Sequence, residues 1–228
     1  MMNVADIREL FMDAARDPQR RRGDTIELIG ESFLADEPYI FMKPNQEYID
    51  RELKWYLSQS RYVDDIPGKT PKIWEQVSSR HGRINSNYGW CVFSEENGRQ
   101  YDHVLDALEQ DRHSRQAVMI YTRPTMHMDA RLDGMRDFMC TNTVTYEIRG
   151  SQLDTIVQMR SNDAVYGYRN DYAWQEYVRN RLIASWNRRC VYDHRENDCL
   201  LKGDIYWQVA SLHIYRRHWH YLGIDDEQ

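Results

Sequence analysis

Long apolar runs are missing from this chain: none approaches the roughly 20 residues that a helix needs to cross a bilayer, so we expect a soluble protein with no membrane partner. Cysteine is scarce too. Cys91, Cys140, Cys190 and Cys199 form no CxxC pair and no secretory leader stands ahead of them, which predicts reduced thiols in a cytoplasm rather than a disulfide scaffold. An excess of positive charge is also absent, with 30 Lys and Arg against 36 Asp and Glu and a formal net charge of -6. Affinity for duplex DNA rests on neutralising phosphates, so direct DNA binding is not expected. A few local arginines can still hold one isolated phosphate. Repeats and low-complexity linkers are lacking as well, and we expect one domain over residues 1–228. What the chain has in quantity is tyrosine and tryptophan, 16 and 7, which suit ring-lined pockets and core packing alike.

The periodicity is mixed. Val4 to Arg16 predicts a short amphipathic helix ended by Asp17-Pro18, and Thr25 to Ile29 a strand ending at Gly30. Asn45 can cap a helix to about Ser58, with Tyr48, Ile49, Leu53, Tyr56 and Leu57 on its apolar face. A loop from Asp64 to Pro71 leads to a helix around Ile73 to Ser79, closed near Gly82. Tyr101 to Gln110 predicts another helix, and Ala117 to Thr122 a buried strand. Val144, Tyr146 and Ile148 alternate with Thr143, Thr145 and Glu147, Gly150-Ser151 turns the chain, and the alternation resumes at Leu153, Thr155, Val157 and Met159. That is a hairpin. Asp171 opens a helix to about Trp186, a polar loop carrying Cys190 and Cys199 follows, and Ile205 to Tyr215 is a final strand. Helices and strands without a βαβ rhythm indicate an α+β fold with a mixed sheet.

Several residues can carry chemistry. Cys140 precedes the hairpin, with Arg131, Arg136 and Arg160 near enough in sequence or pairing to lower its pKa and make it a nucleophile; a cysteine at a strand edge can equally fill a core. Arg160-Ser161-Asn162-Asp163, then Gly167 and Asn170-Asp171, combine a guanidinium, a hydroxyl and backbone donors, the makings of a phosphate clamp, or of a turn closed by a capping aspartate. Glu52 falls on or beside the apolar face of its helix, where desolvation raises a carboxyl pKa and suits it to handling protons. His213 and Tyr215 share one face of a strand and can bond a sugar hydroxyl or sit satisfied in a core. Trp74 can stack on a flat heterocycle or staple its helix.

Taken in order, these segments resemble the thymidylate synthase family. The cysteine, Arg160-Ser161-x-Asp163 after the hairpin, Gly167, a polar residue opening a helix, and Leu212-His213-Ile214-Tyr215 on a late strand follow that family's order and spacing. Arg51-Glu52-Leu53-Lys54-Trp55-Tyr56 and Asn87-Tyr88-Gly89-Trp90 look like its helix and loop segments, and the likeness runs from about Thr25 to Tyr221. Phe138-Met139-Cys140-Thr141-Asn142-Thr143-Val144, Met159-Arg160-Ser161-Asn162-Asp163 and Arg169-Asn170-Asp171-Tyr172-Ala173-Trp174 are similar to the phage branch of the family that hydroxymethylates deoxycytidylate. Synthases usually carry Pro-Cys-His around the nucleophile and asparagine where this chain has Asp171. The family's paired phosphate arginines would fall at Arg115-Gln116, so one of the two is retained.

The resemblance implies a thymidylate synthase-like fold and a homodimer with shared active sites. It implies deoxycytidine monophosphate as substrate, 5,10-methylenetetrahydrofolate as co-substrate, and no metal. Cys140 would attack C6 of the ring, and Glu52 would organise water and protons. Arg160, Ser161 and the partner's Arg115 would hold the phosphate, with His213 and Tyr215 on the deoxyribose. Asn170 and Asp171 would meet the base, and Trp74, Asp163 and Gly167 would line the folate pocket. A carboxylate at Asp171 accepts from the N4 amino group and from a protonated N3, whereas an amide matches uracil. Two alternatives stay open: a folate-dependent dCMP or dUMP methylase, and a catalytically silent nucleotide-binding relative.

Overall fold

The computed structural model describes residues 1–129, 131 and 133–224. In chain order the elements are α1 (Val4–Ala14), β1 (Arg21–Arg22), β2 (Thr25–Leu34), α2 (Gln46–Ser58), α3 (Lys72–Val77), α4 (Tyr88–Phe93), α5 (Gln100–Gln110), β3 (Val118–Ile120), α6 (Met126–Asp129), β4 (Thr141–Arg149), β5 (Gln152–Met159), β6 (Asn162–Asp163), α7 (Gly167–Tyr192) and β7 (Leu201–Tyr215). Seven strands form a mixed sheet in the order β1-β2-β7-β5-β4-β3, with β6 beside β7, as the α+β expectation required. Among the described residues, no helix is long and apolar enough to cross a membrane. The chain divides into two compact units, Met1–Pro44 with Tyr146 onward, and Asn45–Thr145.

The first unit is built on β7. This strand pairs antiparallel with β2, Thr25 opposite Tyr215 through Leu34 opposite Tyr206, and parallel with β5 and β6. β2 does not stop at Gly30 as expected. Gly30 adopts φ +73, a value glycine reaches without steric cost, and the ladder resumes beyond it in the same register. Helix α7 lays Trp174, Val178, Leu182, Trp186 and Cys190 into the core at intervals of four residues, the spacing of one helix face. Tyr168 meets Trp207 edge-on at 5.0 Å. Cys190 is therefore a buried helical residue and not part of a polar loop. Gly203 is required by close approach, since a Cβ there would lie 2.1 Å from Asp154 Oδ1.

The second unit gathers α2 to α6, β3 and the start of β4. Asn45 caps α2 by accepting from the Tyr48 amide at 3.1 Å. The buried face of α2 is Glu52, Trp55 and Tyr56, whereas Leu57 is exposed. The expected apolar stripe is thus rotated toward the glutamate. Asn87-Tyr88-Gly89-Trp90, expected as a loop, is the cap and first turn of α4. Asn87 Oδ1 accepts from the Trp90 amide at 2.8 Å, while its Nδ2 donates to the Trp55 and Ser60 carbonyls at 2.9 and 2.7 Å. A helix of six residues is too short for periodicity to reveal, and a central glycine masks it further. That glycine exists because α4 lies directly on the backbone of α2: a Cβ on Gly89 would stand 1.8 Å from the Tyr56 carbonyl oxygen. Gly89→Ala is expected to destabilise the protein by on the order of 3 kcal/mol, the range for overpacking a tight contact, lowering Tm by about 6–12 °C for a chain of this size. Thermal unfolding followed by circular dichroism checks it.

Candidate active site

In the second unit, Cys140 is a half-buried thiol outside any disulfide, on the residue before β4. Asp137, three residues ahead, fixes its segment. The Asp137 carboxylate accepts from the Asn85 and Ser86 amides, both at 2.7 Å, and from the Ser86 hydroxyl at 2.6 Å. Three donors satisfy a buried charge that would otherwise be costly. One residue past the cysteine, the buried Thr141 hydroxyl donates to the Tyr88 hydroxyl at 3.1 Å. Tyr88 in turn stacks on Tyr56 at 5.2 Å and 19°. The cysteine is thus held from both sides by the 85–88 segment. Asn85 is anchored further by Arg61 and Arg123, whose guanidinium groups donate to its Oδ1 at 2.6 and 2.5 Å. Burial, then the repulsion from Arg123, pushes Arg61 down to about 10.

Glu52 is 6% exposed, and Tyr48 one turn earlier donates to its Oε1 at 2.9 Å. Burial, and after it the Glu52 charge, holds the Tyr48 hydroxyl protonated far above its ordinary range, so Tyr48 is a standing donor. Trp74 lies beside the same phenol and meets the Trp55 ring edge-on at 5.5 Å. Tyr48 was legible only as part of an apolar stripe; its position four residues before Glu52 was the available signal. Arg115 is exposed in the turn before β3, and the exposed Arg131 and Arg136 are on the surface of this unit.

The first unit brings together the other set. The chain leaves β5 at the exposed Arg160 and half-buried Ser161. Asn162 and Asp163 then pair in parallel with Leu212 and His213, and the Ala164 amide donates to the His213 carbonyl at 2.9 Å. His213 is 8% exposed and meets Tyr215 edge-on at 5.0 Å and 88°. Asp163 Oδ1 accepts from the Val165 amide at 2.9 Å. Helix α7 starts at Gly167 with Tyr166 as its cap residue. Asp171 therefore sits in the second turn, and the expectation that it opens the helix is corrected: four residues of sequence without an obvious cap conceal the true start. Its carboxylate has a different partner, accepting from Asn162 Nδ2 at 2.7 Å. Gly167 packs against this pair, where a Cβ would lie 3.1 Å from Asn162 Nδ2 and 3.2 Å from the Asp163 Cβ. Asn170 is half-buried on the neighbouring helical position.

The family model for thymidylate synthase matches residues 12–224. The chain belongs to the thymidylate synthase family. It is 55% identical over 196 residues to the deoxycytidylate 5-hydroxymethyltransferases of Enterobacteria phages T4 and T2, covering 86% of this chain and 78% of each relative. It is 26% identical over 173 residues to a thymidylate synthase of Fusobacterium nucleatum, covering 74% of this chain and 56% of that one. Among solved structures, the thymidylate synthase of phage T4 aligns with a TM-score of 0.68 at 20% identity, covering 94% of this chain and 77% of that one. A thermostable thymidylate synthase A from Bacillus subtilis aligns with a TM-score of 0.61 at 21% identity, covering 90% of this chain and 71% of that one. In this family member the four cysteines differ sharply in environment. Burial pushes the Cys91 thiol up to about 12, Cys190 is fully buried, and Cys140 and Cys199 are half-buried. A thiol titrating near 12 has almost no thiolate at pH 8. Iodoacetamide at that pH is expected to label Cys140 and Cys199 on the native protein and to leave Cys91 and Cys190 unmodified until it unfolds, as peptide mass mapping would show.

Proposed function

We propose that the chain is a deoxycytidylate 5-hydroxymethyltransferase, converting dCMP, 5,10-methylenetetrahydrofolate and water to 5-hydroxymethyl-dCMP and tetrahydrofolate. Asp171 carries the reading: a carboxylate, which only accepts, stands where an amide would suit uracil. The names of the 55%-identical phage relatives support it. The reading takes residues 1–228 as one catalytic domain acting in the cytoplasm, in a homodimer.

The chemistry follows from the groups present. Cys140 thiolate adds to C6 of cytosine, and the electron pair of the C5–C6 bond makes C5 nucleophilic. Covalent addition divides one difficult substitution into easier steps. The reduced folate supplies a one-carbon unit at the oxidation level of formaldehyde, which becomes bonded to C5. Loss of the C5 proton with cleavage of the bond between that carbon and the folate nitrogen releases tetrahydrofolate and leaves an exocyclic methylene; water adds to it, and elimination expels Cys140. Glu52, held by Tyr48, orders water and protons near the ring. Arg160, Ser161 and the partner's Arg115 bind the phosphate. His213 and Tyr215 bind the deoxyribose, and Asn170 lies beside the base. A flat pterin suits the half-exposed Trp74 ring and the side-chain-free surface of Gly167 next to Asp163.

Mass analysis of the product from dCMP and methylenetetrahydrofolate tests this directly. Tetrahydrofolate should accumulate with no absorbance rise from dihydrofolate; a rise matching product one for one would make the enzyme a methylase. Cys140→Ser should abolish turnover and leave dCMP binding largely intact, since the phosphate and sugar contacts persist. Mixing inactive Arg115→Ala and Cys140→Ala proteins should restore activity, because one site of a mixed dimer keeps both residues. Failure despite measured subunit exchange would remove Arg115 from the partner's site. Asp171→Asn should lower kcat/KM for dCMP by about a hundredfold or more and raise relative use of dUMP. Its stability should change little, because the amide oxygen can still accept from Asn162.

A further inference from the structure

Asn162 is 3% exposed and is fixed on β6 by parallel pairing with Leu212. Its side chain has one hydrogen-bond partner among the described residues, Asp171, to which Nδ2 donates at 2.7 Å. Its Oδ1 is buried without any. An unpaired buried amide oxygen is costly, and an apolar side chain would fill the same space without that cost. A carboxylate offers no donor, so the pairing also decides which way the Asn162 amide is turned. The naked Cα of Gly167 packs over the pair, where a Cβ would press on Asn162 Nδ2 at 3.1 Å.

We propose that Asn162 is a positioning residue that sets the hydrogen-bonding polarity of position 171 and, through it, the choice of pyrimidine. The proposal rests on the reading that Asp171 meets the base. With Oδ2 engaged by Asn162, the 4-substituent of the ring is met by Oδ1, an acceptor for the amino group of cytosine. In the wild type the two oxygens are chemically alike, so the role of Asn162 is concealed. An amide at position 171 exposes it, because its two ends differ. Kept in the orientation it holds here, with Nδ2 toward position 171, Asn162 donates, captures the oxygen of that amide and turns the NH2 toward the base, where it matches O4 of uracil. An aspartate at position 162 only accepts. It would capture the NH2 and turn the oxygen toward the base, restoring the match to cytosine although no carboxylate remains at position 171.

The test compares the wild type, Asp171→Asn, and the double variants Asn162→Asp/Asp171→Asn and Asn162→Ala/Asp171→Asn. The ratio of kcat/KM for dCMP over dUMP is measured in each, with Kd values giving the same ratio for variants too slow to assay. A ratio within one protein cancels losses of stability or active fraction, which a merely structural role would produce. Relative to Asp171→Asn, the exchanged pair should return the ratio toward dCMP by about tenfold or more, the scale of one corrected polar contact. The alanine pair, which gives the amide no instruction, should lie between. If both double variants keep the ratio of Asp171→Asn, Asn162 does not set polarity, while Asp171 still reads the base. If Asp171→Asn itself leaves the wild-type ratio unchanged, the assignment of Asp171 falls and this proposal falls with it. Should the exchanged pair not fold, the alanine pair decides: a ratio moved toward dCMP supports the role, and an unmoved one overturns it.

Discussion

The register of β7 is the constraint on which the first unit depends. This strand is paired on both edges, antiparallel to β2 and parallel to β5 and β6, and its alternation sets which residues enter the core. Because strand side chains repeat with period two, a slip of one residue would turn Trp207 and Val209 outward. It would also break the pairing of Asp163 with His213, which holds the segment after the hairpin beside the strand end. That segment delivers Asn162, Asp163 and Gly167 in quick succession, and α7 then brings Asp171 back onto Asn162 one helical turn later. The polar residues of this unit therefore inherit their positions from an apolar ladder.

The second unit solves a different problem, burying two carboxyl groups away from water. Asp137 and Glu52 are both nearly inaccessible, and each is met by donors: two amides and a hydroxyl for the first, a phenol for the second. Preorganised donors of this kind keep a site's charges where they are needed without solvent having to rearrange. Cys91 lies in the same unit and shows the contrast, since burial outweighs the pull of the Arg123 and Arg61 charges and keeps its thiol protonated. Position in the fold, and not residue type, separates the half-buried Cys140 from the buried Cys91 and Cys190.

Much of this was legible in the residues themselves. The hairpin around Gly150-Ser151 and the cap at Asn45 stand where alternation and capping chemistry put them, because both signals are local. Buried Glu52 was also readable, from its place on a helical face. Three features were not. Helix α4 is too short to show a period, the start of α7 lacks a capping side chain, and the Asn162–Asp171 bond joins residues nine apart through a turn whose geometry no periodicity encodes. The network around Asp137 was hidden for the same reason, since it spans some fifty residues. What escaped is what tertiary contact decides.

The pairing of β2 with β7 has a consequence for synthesis. Residues 25–34 must wait for residues 206–215 before their ladder can close, so the first unit stays open until that late strand has left the ribosome. Residues 45–145 form an uninterrupted stretch with its own buried core, and they emerge well before that. Contacts distant in sequence form late because loop closure is slow and entropically costly. During translation residues 45–145 can pack first, while the edge of β2 waits unpaired, the kind of strand edge that chaperones protect.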